Sequence, residues 1–285
     1  MRIIRRPAVP ATLLLGVLAA CNTDVTPPEA RTFAYAEVQA VEDPETGEVS
    51  TRPFIALFKA ANVSFPDSRA AGDQCGLALV PDPDEVPDPN IPTAFSYLEA
   101  GSSVTLNVSG GGGPRSLSRT AQSRQDGSVL FYGLPLTSGG FASNADVAFT
   151  VPGATGGFPA ATIAGKTTVP FTLQTVPNTG TSGQTLPLRW TPPPTGHASA
   201  MLVELRYTGT VNSQPTSVGI YCSLVDDGSF DVPAALANEW FGSNATSHHV
   251  LFQRLLTTAK QETEFGSVVS STYSVTKQTP PAAAN

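Results

Sequence analysis

Charged side chains are scarce in this sequence, and lysine is especially scarce. Only 14% of the 285 residues are charged, and the 16 basic residues, four of them lysine, are outnumbered by 23 acidic ones. A protein that binds nucleic acid mainly through its phosphates needs the opposite balance. The composition therefore excludes a charge-driven nucleic-acid binder, and we expect no nucleic-acid partner.

Long apolar runs are also lacking after the first twenty residues. Arg2, Arg5 and Arg6 precede an uncharged, mostly apolar stretch, Ala11–Ala20. That stretch is shorter than the roughly 20 residues that a permanent transmembrane helix needs. We therefore interpret residues 1–20 as an export signal that is removed, and we expect no spanning helix in the mature protein.

The end of this signal, Leu18-Ala19-Ala20-Cys21, resembles the lipobox of bacterial lipoproteins. The resemblance implies that Cys21 receives a diacylglycerol through its sulfur, becomes the new amino terminus and is then N-acylated, for example with palmitate. Several acyl chains anchor a protein stably, whereas one chain is marginal. We expect a protein of the cell envelope, outside the cytoplasm and held to a membrane at Cys21. The alternatives are an ordinary secretory signal with an incidental cysteine, or an apolar core helix.

The residue after the lipid-bearing cysteine bears on which membrane is involved. In lipoproteins of enteric-type bacteria, an aspartate at this position resembles a signal for retention in the inner membrane. Asn22 stands there in this sequence. The outer membrane is therefore the favoured location.

Cysteine is rare, with three residues in the whole chain. If Cys21 carries the lipid, Cys75 and Cys222 remain, and an even remainder in an exported chain predicts one disulfide. The alternative is two separate thiols. Neither cysteine belongs to a CxxC motif, so a redox or zinc role has little support.

Glycine and proline are plentiful, at 25 and 26 residues, and they separate short β-prone runs. The candidate strands are Thr32–Val41, Pro53–Ala61, Ala94–Ala100, Ser103–Ser109, Arg115–Thr120, Ser128–Leu134, Asp146–Pro152, Ala161–Ala164, Thr168–Thr175, Leu186–Thr191, Met201–Thr208, Val218–Val225, Ser229–Val232 and Ser267–Lys277. Pro233–Phe241 predicts a short helix, because proline is favoured at a first helical position. Val250–Ala259 fits either a helix or a strand, and we favour a strand. The pattern predicts an all-β fold of one or two immunoglobulin-like β-sandwich domains with at most one or two short helices.

The best candidate for a domain boundary is the turn-rich stretch Pro177–Gly183. It would separate an N-terminal β-sandwich domain, residues 32–176, from a C-terminal immunoglobulin-like domain, residues 184–279, with Trp190 and Cys222 in its core. Residues 21–31 are interpreted as a tether, and residues 280–285 as a disordered tail. A disulfide between Cys75 and Cys222 would clamp the two halves, or the whole would form one larger sandwich.

The segment IYCSLVDDGSFDVPAALANEW, with the upstream WTPP and VELRY, resembles secreted lipoproteins of environmental Gram-negative bacteria. The resemblance spans Trp190 to Trp240 and implies a β-sandwich, without naming an activity. Asp227-Gly228 has the chemistry of a hairpin turn, because its glycine allows a positive φ. Phe230 and Val232 would then share one face, which we expect to be the core.

Two acidic clusters are candidates for ion binding. The run Pro81–Asn90 offers the carboxylates of Asp82, Asp84, Glu85 and Asp88, but four prolines stiffen it and it lacks the glycine of a calcium loop. We interpret it as a solvated loop. The second cluster, Asp226, Asp227 and Asp231, is explained by the hairpin that it surrounds.

Motifs of catalysis and of cofactor binding are lacking. HExxH, GxSxG and phosphate-binding glycine loops are all absent, and the tract Gly110–Gly113 opens no helix. His248 and His249 are adjacent, so in a strand they point to opposite faces and do not share a metal, and His197 stands alone. We predict no catalytic residues, no metal and no cofactor.

Most aromatic side chains are needed for the core of a sandwich. Phe158 is the exception that we single out, because the glycine-rich sequence GATGGFP is expected to form a loop with Phe158 at its tip. It is the first candidate for ligand recognition.

Together these patterns predict a lipid-anchored cell-envelope protein with a non-catalytic binding, adhesive or structural role. Its expected ligand is a protein or a glycan. One alternative is an exported hydrolase whose active site is carried on loops. The other is an accessory subunit of an envelope complex that accepts a partner strand at a sheet edge.

Overall fold

The computed structural model describes residues 31–61, 68, 72–79, 95–124, 127–177, 179–211, 214–242 and 248–279. The strands of the N-terminal part are β1 (Arg31–Glu42), β2 (Val49–Ala60), β3 (Gln74–Leu79), β4 (Ser96–Tyr97), β5 (Ser103–Val108), β6 (Arg115–Arg124), β7 (Gly127–Gly133), β8 (Thr137–Ser138), β9 (Asp146–Val151) and β10 (Ala161–Lys166). They are followed by β11 (Leu186–Arg189), β12 (Ala200–Val211), β13 (Gln214–Val225), β14 (Ser229–Val232), the helix α1 (Ala234–Gly242), β15 (His248–Gln261) and β16 (Gly266–Thr279). The all-β fold with one short helix is confirmed.

One large sheet contains most of these strands. Its order is β10-β9-β5-β6-β7-β2-β1-β16-β15-β12-β13-β3, and β4 and β8 pair with β2. The pairing of β1 with β16 is parallel, and the other described pairings in this sheet are antiparallel. A second, two-stranded sheet consists of β11 and β14.

The alternation of small and larger side chains in β1 explains why it forms a strand with one face in the core. Ala34, Ala36, Val38 and Ala40 are buried, while the residues between them are only half-buried. This is the period of two that a sheet with one covered face requires. The neighbouring strand β16 is different, because it is buried on both faces from residue 266 to 275.

The buried apolar side chains form two clusters. The first joins strands of the N-terminal part and contains Ile55, Leu106, Phe149 and Phe158 among others. The second lies between β11, β14, α1 and the strands β12, β13, β15 and β16, and it is rich in large side chains, including Trp190, Phe252 and Trp240. Burial of these apolar side chains holds the packed layers of secondary structure together.

The strands β1 and β16 contribute to both clusters. In β1, Ala34 packs in the first cluster and Ala40 in the second. In β16, Val269 belongs to the first cluster and Tyr273 to the second. Pairing of β1 with β16, and of β3 with β13, therefore joins residues on the two sides of the predicted boundary at 177–183.

Most candidate strands are found, with ends that differ by a few residues. Val250–Ala259 lies within β15, and Pro233–Phe241 overlaps the helix α1. The turn at Asp227-Gly228 also forms, with Gly228 at a φ of 99°. Val232 is buried and Phe230 packs against the same cluster, as their shared face predicts.

Two expectations about strands are wrong. Thr168–Thr175 forms no strand, only a bridge between Leu173 and Trp190. The Thr168 N–H donates to the Ser271 hydroxyl, and Pro170 has no N–H to donate to a sheet. Conversely, β3 lies in a stretch where we predicted no strand. Its partner β13 is far away in the sequence, so no local pattern indicated the pairing.

Candidate binding site

An open groove lies on the face of the large sheet that is opposite the second apolar cluster. Its volume is about 590 Å³. The lining residues are Gln74, Cys75, Gly76, Leu202, Val203, Glu204, Tyr221, Cys222, Ser223 and Gln253. They come from four adjacent strands, β3, β13, β12 and β15, in register across the sheet.

Strand alternation decides which side chains enter this groove. In β12, Leu202 and Glu204 face it, while Val203 packs in the core on the other side. Cys222 likewise packs in the core, so the lining by Val203 and Cys222 comes from their backbone. Backbone therefore contributes to the floor of the groove, and the side chains around it are the apolar Leu202, the ring of Tyr221 and the polar groups of Gln74, Glu204, Ser223 and Gln253.

Glu204, Arg206 and Tyr221 form a charged and hydrogen-bonding group at the groove. The Arg206 Nε donates to Glu204 Oε1 at 2.9 Å. The pKa of Arg206 is raised by this hydrogen bond to Glu204. Burial, and then the hydrogen bond and negative charge of Glu204, raise the pKa of Tyr221, which keeps its phenol protonated at neutral pH.

The ring of Tyr221 lies over Gly219 of the same strand. A Cβ at position 219 would come within 2.6 Å of the Tyr221 ring. Glycine therefore leaves the space in which the ring lies flat beside the groove. Tyr221 is 37% exposed and offers both an apolar face and a hydroxyl to a ligand.

The predicted disulfide is present and secures the edge of this site. Cys75 of β3 and Cys222 of β13 stand directly opposite each other, with their Cα atoms 4.1 Å apart. Both pack with the second apolar cluster, on the side away from the groove. The bridge therefore ties the last strand of the sheet to its neighbour.

A second polar centre is buried inside the protein. Arg254 of β15 and Asp226 form an ion pair at 2.6 Å, with side-chain exposures of 0% and 1%. Arg254 also donates to the carbonyl oxygens of Pro170, at 3.0 Å, and Thr191, at 2.6 Å. Its guanidinium carbon lies 5.2 Å from the centre of the Phe171 ring. Arg254 therefore joins β15 to the segments around Pro170 and Thr191, which lie outside the strands.

The carboxylate of Asp226 is saturated by donors from three other residues. Trp190 Nε1 donates to Oδ1 at 2.7 Å, and the Ser199 hydroxyl donates to Oδ2. Arg254 donates to both oxygens. The hairpin therefore does not explain Asp226, contrary to our interpretation of the acidic cluster, because Asp226 follows β13 directly and turns inward to Arg254.

Ser199, His197 and Asp226 lie near one another, which invites comparison with a catalytic triad. In such a triad the serine donates to the histidine and the histidine to the carboxylate. Here Ser199 donates directly to Asp226, and the buried Nε2 of His197 has no hydrogen-bond partner among the described residues. Burial, followed by the positive charge of Arg254, lowers the pKa of His197. The geometry is that of a structural ion pair.

A partly buried carboxylate lies elsewhere in the large sheet, on β1. Glu37 accepts hydrogen bonds from the hydroxyls of Tyr35, at 3.1 Å, and Thr272, at 3.4 Å. Burial raises the pKa of Glu37, and burial together with the charge of Glu37 raises the pKa of Tyr35 to about 12. The group holds β1 to β16 by side-chain hydrogen bonds in addition to their backbone pairing.

The expectation that Phe158 is displayed at a loop tip is wrong. Phe158 is fully buried, and its ring centre lies 5.1 Å from that of Phe265. Its N–H donates to the carbonyl of Glu99 at 2.8 Å, which turns the loop inward. Burial of a large apolar side chain in the first cluster is more favourable in free energy than its exposure to water.

The remaining candidate residues are the two adjacent histidines, two aspartates of the hairpin, Cys21 and the acidic run. His248 is buried beside the Trp240 ring, and the adjacent His249 is exposed, as alternation in a strand predicts. Asp231 pairs with Arg189 at 2.7 Å, and Asp227 accepts from the Ser229 N–H within the hairpin. Cys21 and the acidic run Pro81–Asn90 lie outside the described residues.

No group of three or more His, Cys, Asp or Glu side chains that would hold a metal ion occurs among the described residues. Across the same part of the chain, the structure has no helix that is both apolar and long enough to cross a membrane.

The chain matches no protein-family model and no curated protein sequence. Among solved structures, it is weakly similar to the yeast delta-COP-I mu-homology domain, with 12% identity, 87% of this chain and 99% of that chain covered, and a TM-score of 0.29. The same domain in complex with the Dsl1 WxWxV peptide gives 8% identity, coverage of 87% and 97%, and a TM-score of 0.27. At these TM-scores the likeness carries no argument about fold or function.

Proposed function

We propose that this protein is a lipoprotein of the cell envelope, anchored through Cys21, and that it acts there as a non-catalytic binding protein. The groove bounded by Gln74, Tyr221 and Glu204 is its proposed binding site. The anchor is supported by the lipobox-like sequence at residues 18–21, and an oxidising compartment by the disulfide between Cys75 and Cys222.

The single observation that carries the binding role is the makeup of the groove. It combines an apolar surface, from Leu202 and the ring of Tyr221, with a few amide and hydroxyl groups, which is the kind of surface that orients a ligand by a few polar contacts. Its one carboxylate, Glu204, is already paired with Arg206. General acid–base chemistry requires a group free to exchange a proton with a substrate, and this pairing opposes that use.

The anchor is tested by replacing the acylated residue. In the Cys21→Ala variant we expect an unprocessed chain that lacks the acyl groups, as measured by mass spectrometry. The wild type should be recovered with the membrane, cleaved before Cys21 and released only by detergent. Globomycin should block processing in the same way. Unchanged processing and lipid content in the variant would refute the anchor.

The binding role is tested by photocrosslinking in intact cells. A benzoylphenylalanine at position 221 should give a discrete adduct, identified by mass spectrometry as peptide or sugar, because the ring lies beside the groove. The matched control is Phe95, which is also an exposed aromatic residue, at 44% against 37% for Tyr221. Adding Leu202→Arg, which places a long side chain into the groove, should abolish the adduct. Equal labelling at positions 95 and 221, or an adduct that survives Leu202→Arg, argues against the groove.

A further inference from the structure

The strand β3 is the last strand in the order of the large sheet. Among the described residues it pairs on one side only, with β13. Its register is continuous from Gln74 to Leu79, without a bulge. Its other side is therefore a regular row of backbone donors and acceptors.

The disulfide shows which backbone groups of β3 point outward. Directly opposite residues in an antiparallel pair alternate between hydrogen-bonded pairs, with Cα atoms about 5.5 Å apart, and non-hydrogen-bonded pairs, about 4.5 Å apart. Cys75 and Cys222, at 4.1 Å, form a pair of the second kind. The N–H and C=O of Cys75, and by alternation those of Leu77, therefore point away from β13.

Edge strands of natural proteins usually carry a charge, a proline or a bulge that prevents another chain from pairing. The sequence of β3, QCGLAL, has neither a charged residue nor a proline. Leu77 is 48% exposed on this edge. The strand is also fixed in place by the disulfide, so it does not pay an ordering cost when another strand is added.

The charges at one end of this edge indicate what kind of strand it accepts. Asp73 precedes β3 and accepts a hydrogen bond from the Val225 N–H at 3.0 Å. Asp227 lies two residues beyond Val225, in the adjacent hairpin. Among the described ion pairs, neither carboxylate has a cationic partner. A second copy of this chain that paired through its own β3 would bring no cation here, because that strand has no lysine or arginine.

We propose that the edge of β3 that pairs with no described residue accepts an extended segment of a partner protein, added as a further strand. We expect this segment to carry a lysine or arginine toward the end of β3 where Asp73 and Asp227 lie. The backbone groups of Cys75 and Leu77 provide the hydrogen bonds, and alternate side chains of the segment lie over the groove beside Gly76 and Tyr221. This inference rests on the proposed binding role but not on the lipid anchor, since the edge exists without it.

The test uses the mature chain with Cys21→Ser, in solution, and fluorescent peptides of alternating valine and threonine. One peptide ends in lysine on both sides and the other in glutamate. In anisotropy titrations we expect the lysine peptide to bind at least about tenfold more tightly, a difference of about 1.4 kcal/mol. Replacing Asp73 and Asp227 together by asparagine keeps their hydrogen-bond acceptors and should remove this preference.

Leu77→Pro tests the edge itself, because it removes an outward N–H that β13 does not use. It should weaken the lysine peptide at least about tenfold, whereas Leu77→Thr, which keeps the N–H, should not. Intact mass without reduction and thermal unfolding check that both variants keep the bridge and the fold.

Three results would overturn the inference. They are equal binding of the two peptides to the wild type, binding to Leu77→Pro as tight as to Leu77→Thr, and no binding of either peptide at millimolar concentration. A concentration-dependent dimer that Leu77→Pro abolishes would assign the edge to a second copy instead. Crosslinking at position 221 and processing at Cys21 are measured in cells, whereas peptide binding to β3 is measured in solution. A failure of this inference is therefore distinguishable from a failure of the proposed function.

Discussion

Arg254 of β15 and Asp226, in the turn after β13, form an ion pair that solvent does not reach. Every donor of this pair that the structure describes is directed at a carboxylate or a carbonyl oxygen. A buried ion pair is not a strong source of net stability, because both charges lose their hydration. Replacing only one of the two charged residues is nevertheless costly, since the other charge then stays buried without a partner.

We therefore predict that Arg254→Met destabilises the protein by about 3–5 kcal/mol. The matched control is Arg189→Met, which breaks an ion pair with Asp231 whose side chains are 37% and 51% exposed. An exposed pair contributes only about 0–1 kcal/mol. Urea-induced unfolding measures the free energy of unfolding of the two variants. Equal losses of this free energy would contradict the structural role given to Arg254.

The disulfide should contribute measurably to stability. Replacing Cys75 and Cys222 together by alanine opens a loop with a sequence separation of 147 residues. In the chain-entropy model such a bridge contributes up to about 4–5 kcal/mol. We expect a lower urea midpoint in the double variant and in reduced wild type, while Cys21→Ser leaves it unchanged. Mass mapping without reduction that recovers both cysteines as free thiols would show that the bridge does not form.

Acidification should destabilise the protein through two histidines. Burial is the main cause that lowers the pKa of both His197 and His248 below the ordinary value of 6.5. A group whose pKa is lowered by folding binds more protons when unfolded, so the stability it contributes is present above pH 6.5 and is lost as pH falls through the folded pKa.

The groups around these histidines shift the pKa in both directions, and burial, which lowers it, is the largest cause at each. Arg254 faces His197 and lowers its pKa further, while Asp226 raises it. At His248 the Trp240 carbonyl raises the pKa and His249 lowers it. Unfolding free energies measured from pH 7.5 to 5 should fall less steeply in His197→Gln and in His248→Gln than in the wild type. His249→Gln, at an exposed position, is the control, and parallel curves for all four proteins would refute the assignment.

Phe158 should behave as a core residue and not as a contact for a ligand. Removal of a buried phenylalanine to alanine costs about 3–5 kcal/mol, through lost burial and the cavity left behind. Leu136→Ala is a suitable control, because Leu136 is 50% exposed. Thermal unfolding should separate the two variants clearly. A Phe158→Ala protein that unfolds like the wild type would restore the loop-tip interpretation.

Much of the secondary structure follows from local sequence. Three local signals act within a few residues: the alternation in β1, Gly228 in the hairpin and the proline before α1. Their effects can therefore be predicted from the sequence without knowledge of the fold. The pairing of Cys75 with Cys222 was predicted by counting, on the expectation that the chain is exported and leaves an even number of cysteines after Cys21.

The tertiary structure decided what no local pattern contains. Arg254 falls on the core side of β15 and meets Asp226 there only because β12 pairs with β15 on one side and, on the other, with β13, the strand that Asp226 follows. The groove at Tyr221 exists because β3 pairs with a strand far along the chain, and Phe158 is buried because its loop folds onto Phe265. Side-chain period and turn chemistry act over neighbouring residues, whereas burial of a charge, an aromatic ring or a sheet edge depends on which distant segment covers it.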